Sequence, residues 1–548
     1  MDGFKPKTAF MKLCLPFGLR ACVTIAFALA TVVVIQSAPV VLNTNLQVRL
    51  VLNTGTGSGN SIRIAKDPRN NQLYYSKMNG DIYQVNLQPG SGSTSNRVYT
   101  SADHGISGSA QGMAIGPDGT VYFVGNNNTN SNNNTFARIM KGVPGAGGVR
   151  TWSLLATTQP YARSATAFDH VCNGIVVSPD GQYVYLNSGS RTDHGEIQTR
   201  GGVFPNTREV ALTAKILRLP ASGSNLILTN DITVLRQSGY VFAEGIRNTF
   251  DFAFASNGDL FGTENGPDRD MAEELNWLRP GLHYGFPWRI GGTDNPQQFP
   301  SYNPATDLLL DSRFIAVSSG YYHNDPTFPP PSTNFTEPVI NVGPDADSYR
   351  DPADGVVKDS GGQGRTLGSF TAHRSPLGLV FDTTGAMAPP FQSHGFVMSW
   401  TPGDANGNSV AGPFRDASQD LLQLNLTKLG TTNYQMTVTR LVGGFANPID
   451  AEIIGNRIYV LEYGGNQGLW EVTFPAAPPI ISSPSTGPGG GFQFNVSGPT
   501  GLTYEIVAST NFQNWLSLTS VVPSSTQFQF TDLAATNFLR RFYRAVRH

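Results

Sequence analysis

Cysteine is scarce in this chain. Of three in 548 residues, Cys14 and Cys22 lie within the first 38, so the remainder holds only Cys172 and cannot form an internal disulfide. Its stability must come from a large apolar core, supplemented at most by a bound ion. Charge is also scarce, at 14% of residues, and it balances: 37 basic against 39 acidic residues give a formal net charge of -2. No global field exists to gather nucleic acid or an anionic membrane, and neither partner is expected. The apolar run Ala21 to Ile35, about 15 residues, falls short of the roughly 20 that a spanning helix needs, so no stable membrane span is expected. There is no zinc-ligand spacing, no P-loop, and no dinucleotide fingerprint in a strand-to-helix context. His170 and Cys172 stand close together, but neighbours along a strand need not share a face, which disfavours a thiol nucleophile.

What the chain has in quantity is glycine, 60 residues, and proline, 37. That usage fits many short strands joined by turns and points to an all-β protein. Lys5, Lys7, Lys12 and Arg20 precede the apolar run, and Gln36, Ser37, Ala38 and Pro39 follow it. This order is that of a secretory signal over residues 1–38, which places the mature protein outside the cell or in a periplasm.

Six stretches then repeat one grammar: an apolar strand, a turn, a second apolar strand, and a loop leading to an outer strand. They read IRIAKDPRNNQLYYSKMNGDIYQVNL from Ile62, QGMAIGPDGTVYFVG from Gln111, NGIVVSPDGQYVYLNSG from Asn173, and FDFAFASNGDLFGTENG from Phe250. Two looser copies are PLGLVFDTTG with GFVMSW, at Pro376 to Trp400, and NPIDAEIIGNRIYVLEYGG with LWEVTF, at Asn447 to Phe474. Radial repetition of such units makes a six-bladed β-propeller, whose central channel and connecting loops offer a site; the expected bounds are residues 39–474. Residues 291–370, between copies four and five, lack periodicity and read as a long excursion over one face. A Pro/Gly/Ser-rich linker is expected at 475–490. Short alternating segments over 491–548 suggest a small β-sandwich-like module.

The chemistry-bearing residues cluster before the inner strands. His170 precedes the third copy, where a neutral imidazole can accept a proton from a central ligand; a hydrogen-bonded loop histidine is the alternative. Arg247 and Asn248 hold the equivalent place before the fourth copy, with donors suited to carboxylate or carbonyl oxygens, although both also suit a structural role. Downstream, Glu264, Gly266, Pro267, Asp268 and Asp270 offer oxygens for a hard cation or simply a solvated loop. Arg191, Asp193, His194 and Glu196 reach toward the same mouth but make a weak metal cluster. His373 and Arg374 precede the fifth copy and can meet an anion or polar ligand. Trp277, Tyr284, Phe286 and Trp288 can wall a flat ligand or pack in the core.

His170 to Gly189, GIRN at 245–248, ENGP at 264–267 and ELNWLRPGLHYGFPW at 274–288 resemble the glucose/sorbosone dehydrogenase family, with PLG at 376–378 agreeing less specifically. The resemblance implies a six-bladed propeller that binds pyrroloquinoline quinone and Ca2+ and oxidises a sugar hydroxyl or aldehyde, with an external electron acceptor. It implies His170 as catalytic base, Arg247 stabilising developing oxygen charge, and Arg247, Asn248 and His373 at the quinone. The backbone carbonyls of Gly266 and Pro267 are implied at the calcium. The chain departs from the family at Ser190, where Asp often follows Gly, and at Asn447, where Arg commonly precedes Pro. Two other functions compete: a carbohydrate- or protein-binding propeller without turnover, and a calcium-dependent lactonase-like hydrolase.

Overall fold

Pro-Asp-Gly and Asn-Gly turns cut the apolar segments into antiparallel pairs. Gly119, Gly181 and Gly258 take φ of 84°, 71° and 85°, which a side chain would resist. Asp118 closes one such turn by accepting the Thr120 N–H at 2.9 Å. The computed structural model describes residues 38–129, 133–331, 333–361, 368–403, 412–498 and 502–547. The leader expected over 1–38 lies, but for Ala38, outside the described residues. The architecture is all-β, and six principal sheets follow the six copies.

The innermost strands of these sheets are Ser61–Asp67, Ala110–Ile115, Cys172–Val177, Thr249–Phe254, Pro376–Phe381 and Pro448–Ile454. Each lies beside the next, and the last lies beside the first. Every one of the six also carries a register shift against its partner near its start, as at Ser61/Arg63, Cys172/Ile175 and Pro448/Asp450. Such bulges bend a strand end and re-aim the residues before it.

Neighbouring inner strands belong to different sheets, so side chains make the lateral bonds. Arg63 Nε donates to Gln111 O at 2.7 Å, Asn126 Nδ2 to Cys172 O at 2.8 Å, and Asn173 Nδ2 to Asn248 Oδ1 at 2.7 Å. Leu379 N donates to Asp251 Oδ2 at 2.9 Å, Asn447 Nδ2 to Trp400 O at 3.0 Å, and Ile64 N to Asp450 Oδ2 at 2.9 Å. These staples link all six sheets in cyclic order. Between the sheets lie apolar layers: Phe123, Val124, Phe261, Leu422 and Val460 are fully buried. Each such side chain contributes roughly 1.5–3 kcal/mol by leaving water.

The sixth sheet takes its outer strand from the other end of the chain: Gln47–Asn53 pairs antiparallel with Gly468–Thr473. At the far ends of the inner strands a cavity of about 630 Å³ opens, with Arg63, Asp251 and Asp450 in its wall. Among the described residues no helix is long and apolar enough to cross a membrane.

Within the Pro/Gly/Ser-rich segment expected as a linker at 475–490, the structure forms a strand. Ile480–Thr486 is paired, among the described residues, only with Phe492–Ser497. Pro484 is tolerated there because it sits on an edge strand, inside the register shift between Ser482 and Ser485. This strand, Phe492–Ser497 and Gln527–Asp532 make one three-stranded sheet; Leu516–Val521, Tyr504–Ser509 and Phe542–Arg547 make another. Phe494, Val496, Tyr504 and Ile506 fill the space between them.

Candidate functional site

The loops that precede the inner strands converge on one face, and Ser190 ties two of them together. His170 N donates to Ser190 O at 3.0 Å, and Ser190 N donates to Arg247 O at 2.7 Å. Gly189 fits between them only without a side chain: an added Cβ would stand 2.5 Å from His170 Cβ and 3.3 Å from Arg247 O. His170 is half-buried. Its Nδ1 lies 3.1 Å from Ser190 Oγ, and its Nε2 has no hydrogen-bond partner among the described residues. Burial, then the Arg247 charge, push the imidazole pKa down to about 3, so the ring is neutral and able to accept a proton.

Arg247 is held rigidly. Its Nε donates to Asp193 O at 2.7 Å, Nη2 to Asp193 Oδ1 at 2.9 Å, and Nη1 to Asn265 O at 3.1 Å, while its backbone N–H is bound by Glu264. Asp193 is fully buried and also accepts from Asp268 N at 3.0 Å and Tyr322 OH at 3.2 Å, with His194 Nδ1 2.9 Å away. Burial opposes its charge, but the His194 hydrogen bond and the Arg247 guanidinium hold the carboxyl below its ordinary range. Arg247 remains a fixed cation whose plane is set by a carboxylate 54 residues away in sequence.

Asn248 belongs to an amide ladder. It accepts from Asn173 and donates from Nδ2 to Asn265 Oδ1 at 2.8 Å, and Asn265 Nδ2 continues to Pro376 O at 3.3 Å. Gly266 and Pro267 follow Asn265, and among the described residues neither carbonyl accepts a hydrogen bond. Beneath them Glu273 is buried, its Cγ 3.5 Å from where a Gly266 Cβ would stand, and its Oε2 has no partner. Burial raises this carboxyl to about 8 despite the opposing charge of Arg374. His373 Nε2 lies 2.7 Å from Asp270 Oδ1, and Phe314 stacks on the ring at a centroid distance of 3.9 Å.

The comparisons with known proteins bear on this arrangement. The sequence profile described as Glucose / Sorbosone dehydrogenase matches residues 63–307. The resemblance read from GIRN and ENGP is borne out. Residues 63–307 carry the glucose/sorbosone dehydrogenase pattern. No curated protein matches the chain. Solved structures that it resembles include the quinone-bound aldose sugar dehydrogenase of Streptomyces coelicolor, with 16% identity, 79% of this chain and 99% of that one covered, and a TM-score of 0.43. The soluble aldose sugar dehydrogenase of Escherichia coli in its apo form has 14% identity, 78% and 99% coverage, and a TM-score of 0.47. The quinone domain of pyranose dehydrogenase from Coprinopsis cinerea has 13% identity, 79% and 97% coverage, and a TM-score of 0.45.

Within the dehydrogenase pattern, His170, Arg247, Asn248, Gly266 and Pro267 come together, but their availability differs. His170 Nε2 and the two carbonyls are open; Asn248 spends its amide on the ladder, and His373 is engaged by Asp270 and covered by Phe314. Arg374 is held by Asp416 and by Asp420, the latter at 2.6 Å, in a largely buried network. Arg191 spends its donors on carbonyls, among them Ala162 O at 3.1 Å and Arg208 O at 2.7 Å. The aromatic group packs instead of walling a ligand: Tyr284 OH bonds Trp277 O at 2.6 Å, Phe286 is in the core, and Trp288 stacks on Phe335. Cys172 is buried, its thiol raised to about 11 by burial.

The excursion is seated against the same face. Tyr322 stacks on His194 at 3.7 Å, and Ala316 N donates to Asp268 Oδ2 at 2.8 Å. Sequence reasoning did not find Tyr322, Phe314, Asn265 or Glu273 as site neighbours. Asn265 lies within the ENGP motif and Glu273 just downstream of it, and that proximity was the available signal; Tyr322 and Phe314 carry none.

Proposed function

We propose that the chain is a six-bladed propeller oxidoreductase that oxidises a hydroxyl or hydrated aldehyde of a sugar-like substrate, using pyrroloquinoline quinone and Ca2+. The observation that carries the reading is the open His170 Nε2 fixed beside Arg247 and the unpaired Gly266 and Pro267 carbonyls, inside the span that matches the family profile. The donor set fits the two groups. Adjacent unpaired carbonyls are hard oxygen ligands that supply part of a calcium shell, which takes about six to eight oxygens. Among the described residues no three His, Cys, Asp or Glu gather as a metal site; on this reading the Gly266 and Pro267 carbonyls would help hold the cation.

When bound, the quinone supplies the two-electron acceptor that no side chain can provide. The protein's own contribution is positional and electrostatic. His170 Nε2 takes the proton of the substrate hydroxyl, which its neutral state permits. Arg247, its orientation set by Asp193, places a fixed positive charge where oxygen charge develops. The Asn173–Asn248–Asn265 ladder keeps Arg247 and the Gly266 loop in register across adjacent sheets. The mature protein is read as exported, with the C-terminal sheets forming a small sandwich outside the chemistry.

Reconstitution of the purified protein with Ca2+ and pyrroloquinoline quinone, followed by dye reduction across sugars and aldehydes, tests the reading. Turnover is expected, and His170→Ala should lower it by about 100-fold or more while calcium affinity holds. Folded protein that neither binds the quinone nor turns over would end the dehydrogenase reading.

A further inference from the structure

Ser190 does more than join two loops. Its hydroxyl has a single proton, and Thr192 O, 2.9 Å away, can only accept it. The hydroxyl oxygen lies 3.1 Å from His170 Nδ1 and can present only a lone pair to it. A ring nitrogen facing a lone pair must carry the hydrogen. We propose that Ser190 is a positioning residue that locks His170 in its Nδ1–H tautomer, leaving the Nε2 lone pair as the open proton acceptor of the site. The tautomer rests on the Ser190 hydroxyl donating to Thr192 O; its use as an acceptor rests on the dehydrogenase reading.

The surroundings make this lock unusual in one respect. Ser190 is fully buried, and its backbone N–H and carbonyl are both committed, to Arg247 O and His170 N. The charged groups that act on the ring are Arg247 and, more weakly, Asp193, whose carboxylate is spent on Arg247 and His194. The hydroxyl therefore orients the imidazole without offering it a negative charge. A ring so held is pre-aligned for a proton but does not retain one at rest, consistent with its depressed pKa.

Cofactor-free protein labelled with 15N-histidine, with the His170 signals assigned by their loss in His170→Gln, gives a direct reading. The expected result is a pyrrole-type Nδ1 and a pyridine-type Nε2, unchanged from about pH 8 to about pH 5, below the ordinary histidine midpoint. Ser190→Ala should let the second tautomer appear. Ser190→Asp should raise the protonation midpoint by about one pH unit or more, by placing a carboxylate at Nδ1. A wild-type ring protonated on Nε2, or a Ser190→Ala protein with the same single tautomer, overturns the proposal. The wild-type measurement decides even if a variant fails to fold. None of these readings needs turnover: the expected tautomer in a protein without dehydrogenase activity removes only the proposed function, while turnover with the opposite tautomer removes only this inference.

Discussion

Asp193→Asn removes one charge and almost no volume from the centre of the site. In the wild type the Arg247 side chain is nearly sealed from solvent, and Asp193, 2.9 Å from Nη2, is the carboxylate hydrogen-bonded to it. Glu264 lies against the Arg247 backbone, but burial and then neighbouring Glu274 push its carboxyl well above the ordinary range, so it does not supply the missing charge. After the change Arg247 keeps two carbonyl partners, Asp193 O and Asn265 O, and no hydrogen-bonded carboxylate on its guanidinium among the described residues. Breaking a buried pair by removing one partner costs about 3–5 kcal/mol. The new amide adds to this, because its N–H₂ group confronts either the Asp268 N–H or the ring nitrogen of His194, each already placed to donate. Urea unfolding of the cofactor-free protein at neutral pH should therefore show a loss of about 3–5 kcal/mol. A loss under about 1 kcal/mol, the scale of an ordinary hydrogen bond, would refute the claim that Asp193 neutralises Arg247. The pH dependence carries a matching sign. The folded carboxyl is depressed, so its contribution is present above the unfolded aspartate range and is lost as pH falls through the folded value; the variant should lack that acid-labile part.

Glu273 predicts the opposite slope. Its folded carboxyl holds a proton up to about pH 8, so between the ordinary glutamate range and that value each rise in pH favours the unfolded chain, by about 1.4 kcal/mol per unit. In calcium-free buffer Glu273→Gln should flatten this slope, and an unchanged slope would show that Glu273 ionises normally. Gly245 takes φ of 71°, and an added Cβ would meet His283 Cε1 at 2.3 Å and Gly285 N at 2.8 Å. Gly245→Ala should cost about 1–3 kcal/mol in thermal unfolding from backbone strain alone, and wild-type stability would contradict the packing described. A thiol reagent should leave Cys172 untouched in the native protein lacking the first 38 residues and label it after denaturation, because its thiol is buried and its thiolate disfavoured.

The repeat was legible because its signals are local. A strand of period two followed by Pro-Asp-Gly or Asn-Gly needs no knowledge of distant residues, and the first four copies carry both features. The fifth and sixth copies are looser because their turns are Asp382 to Gly385 and Gly455-Asn456, without the Pro-Asp-Gly signature, although their inner strands bear the same early bulge. His170 and Arg247 were legible as residues poised before inner strands. Their partners were not, because contact between Ser190, Asp193, Tyr322 and these residues depends on how separate sheets and the excursion come together. Asn447 shows the reverse case. Standing where the family commonly has Arg, it is in the fold a staple, its Nδ2 on Trp400 O and its carbonyl accepting Tyr463 N. The 475–490 segment holds an edge strand that its composition did not announce: proline and serine mark linkers, but they also suit an edge strand that needs few inward hydrogen bonds.

The pairing of Gln47–Asn53 with Gly468–Thr473 sets the order of events for the whole molecule. One half of this clasp emerges early in synthesis and waits for the other, some four hundred residues later, so the sixth sheet is completed only when nearly all of the chain has been delivered. Pairings of such long range are slow, because their entropy must be met before their contacts reward it. His170, Arg247 and the Gly266 loop come from sheets in the middle of that interval, and their mutual placement depends on strands that the clasp secures last. A ligand that needs all three meets a ring whose closing pair joins the two ends of the propeller segment.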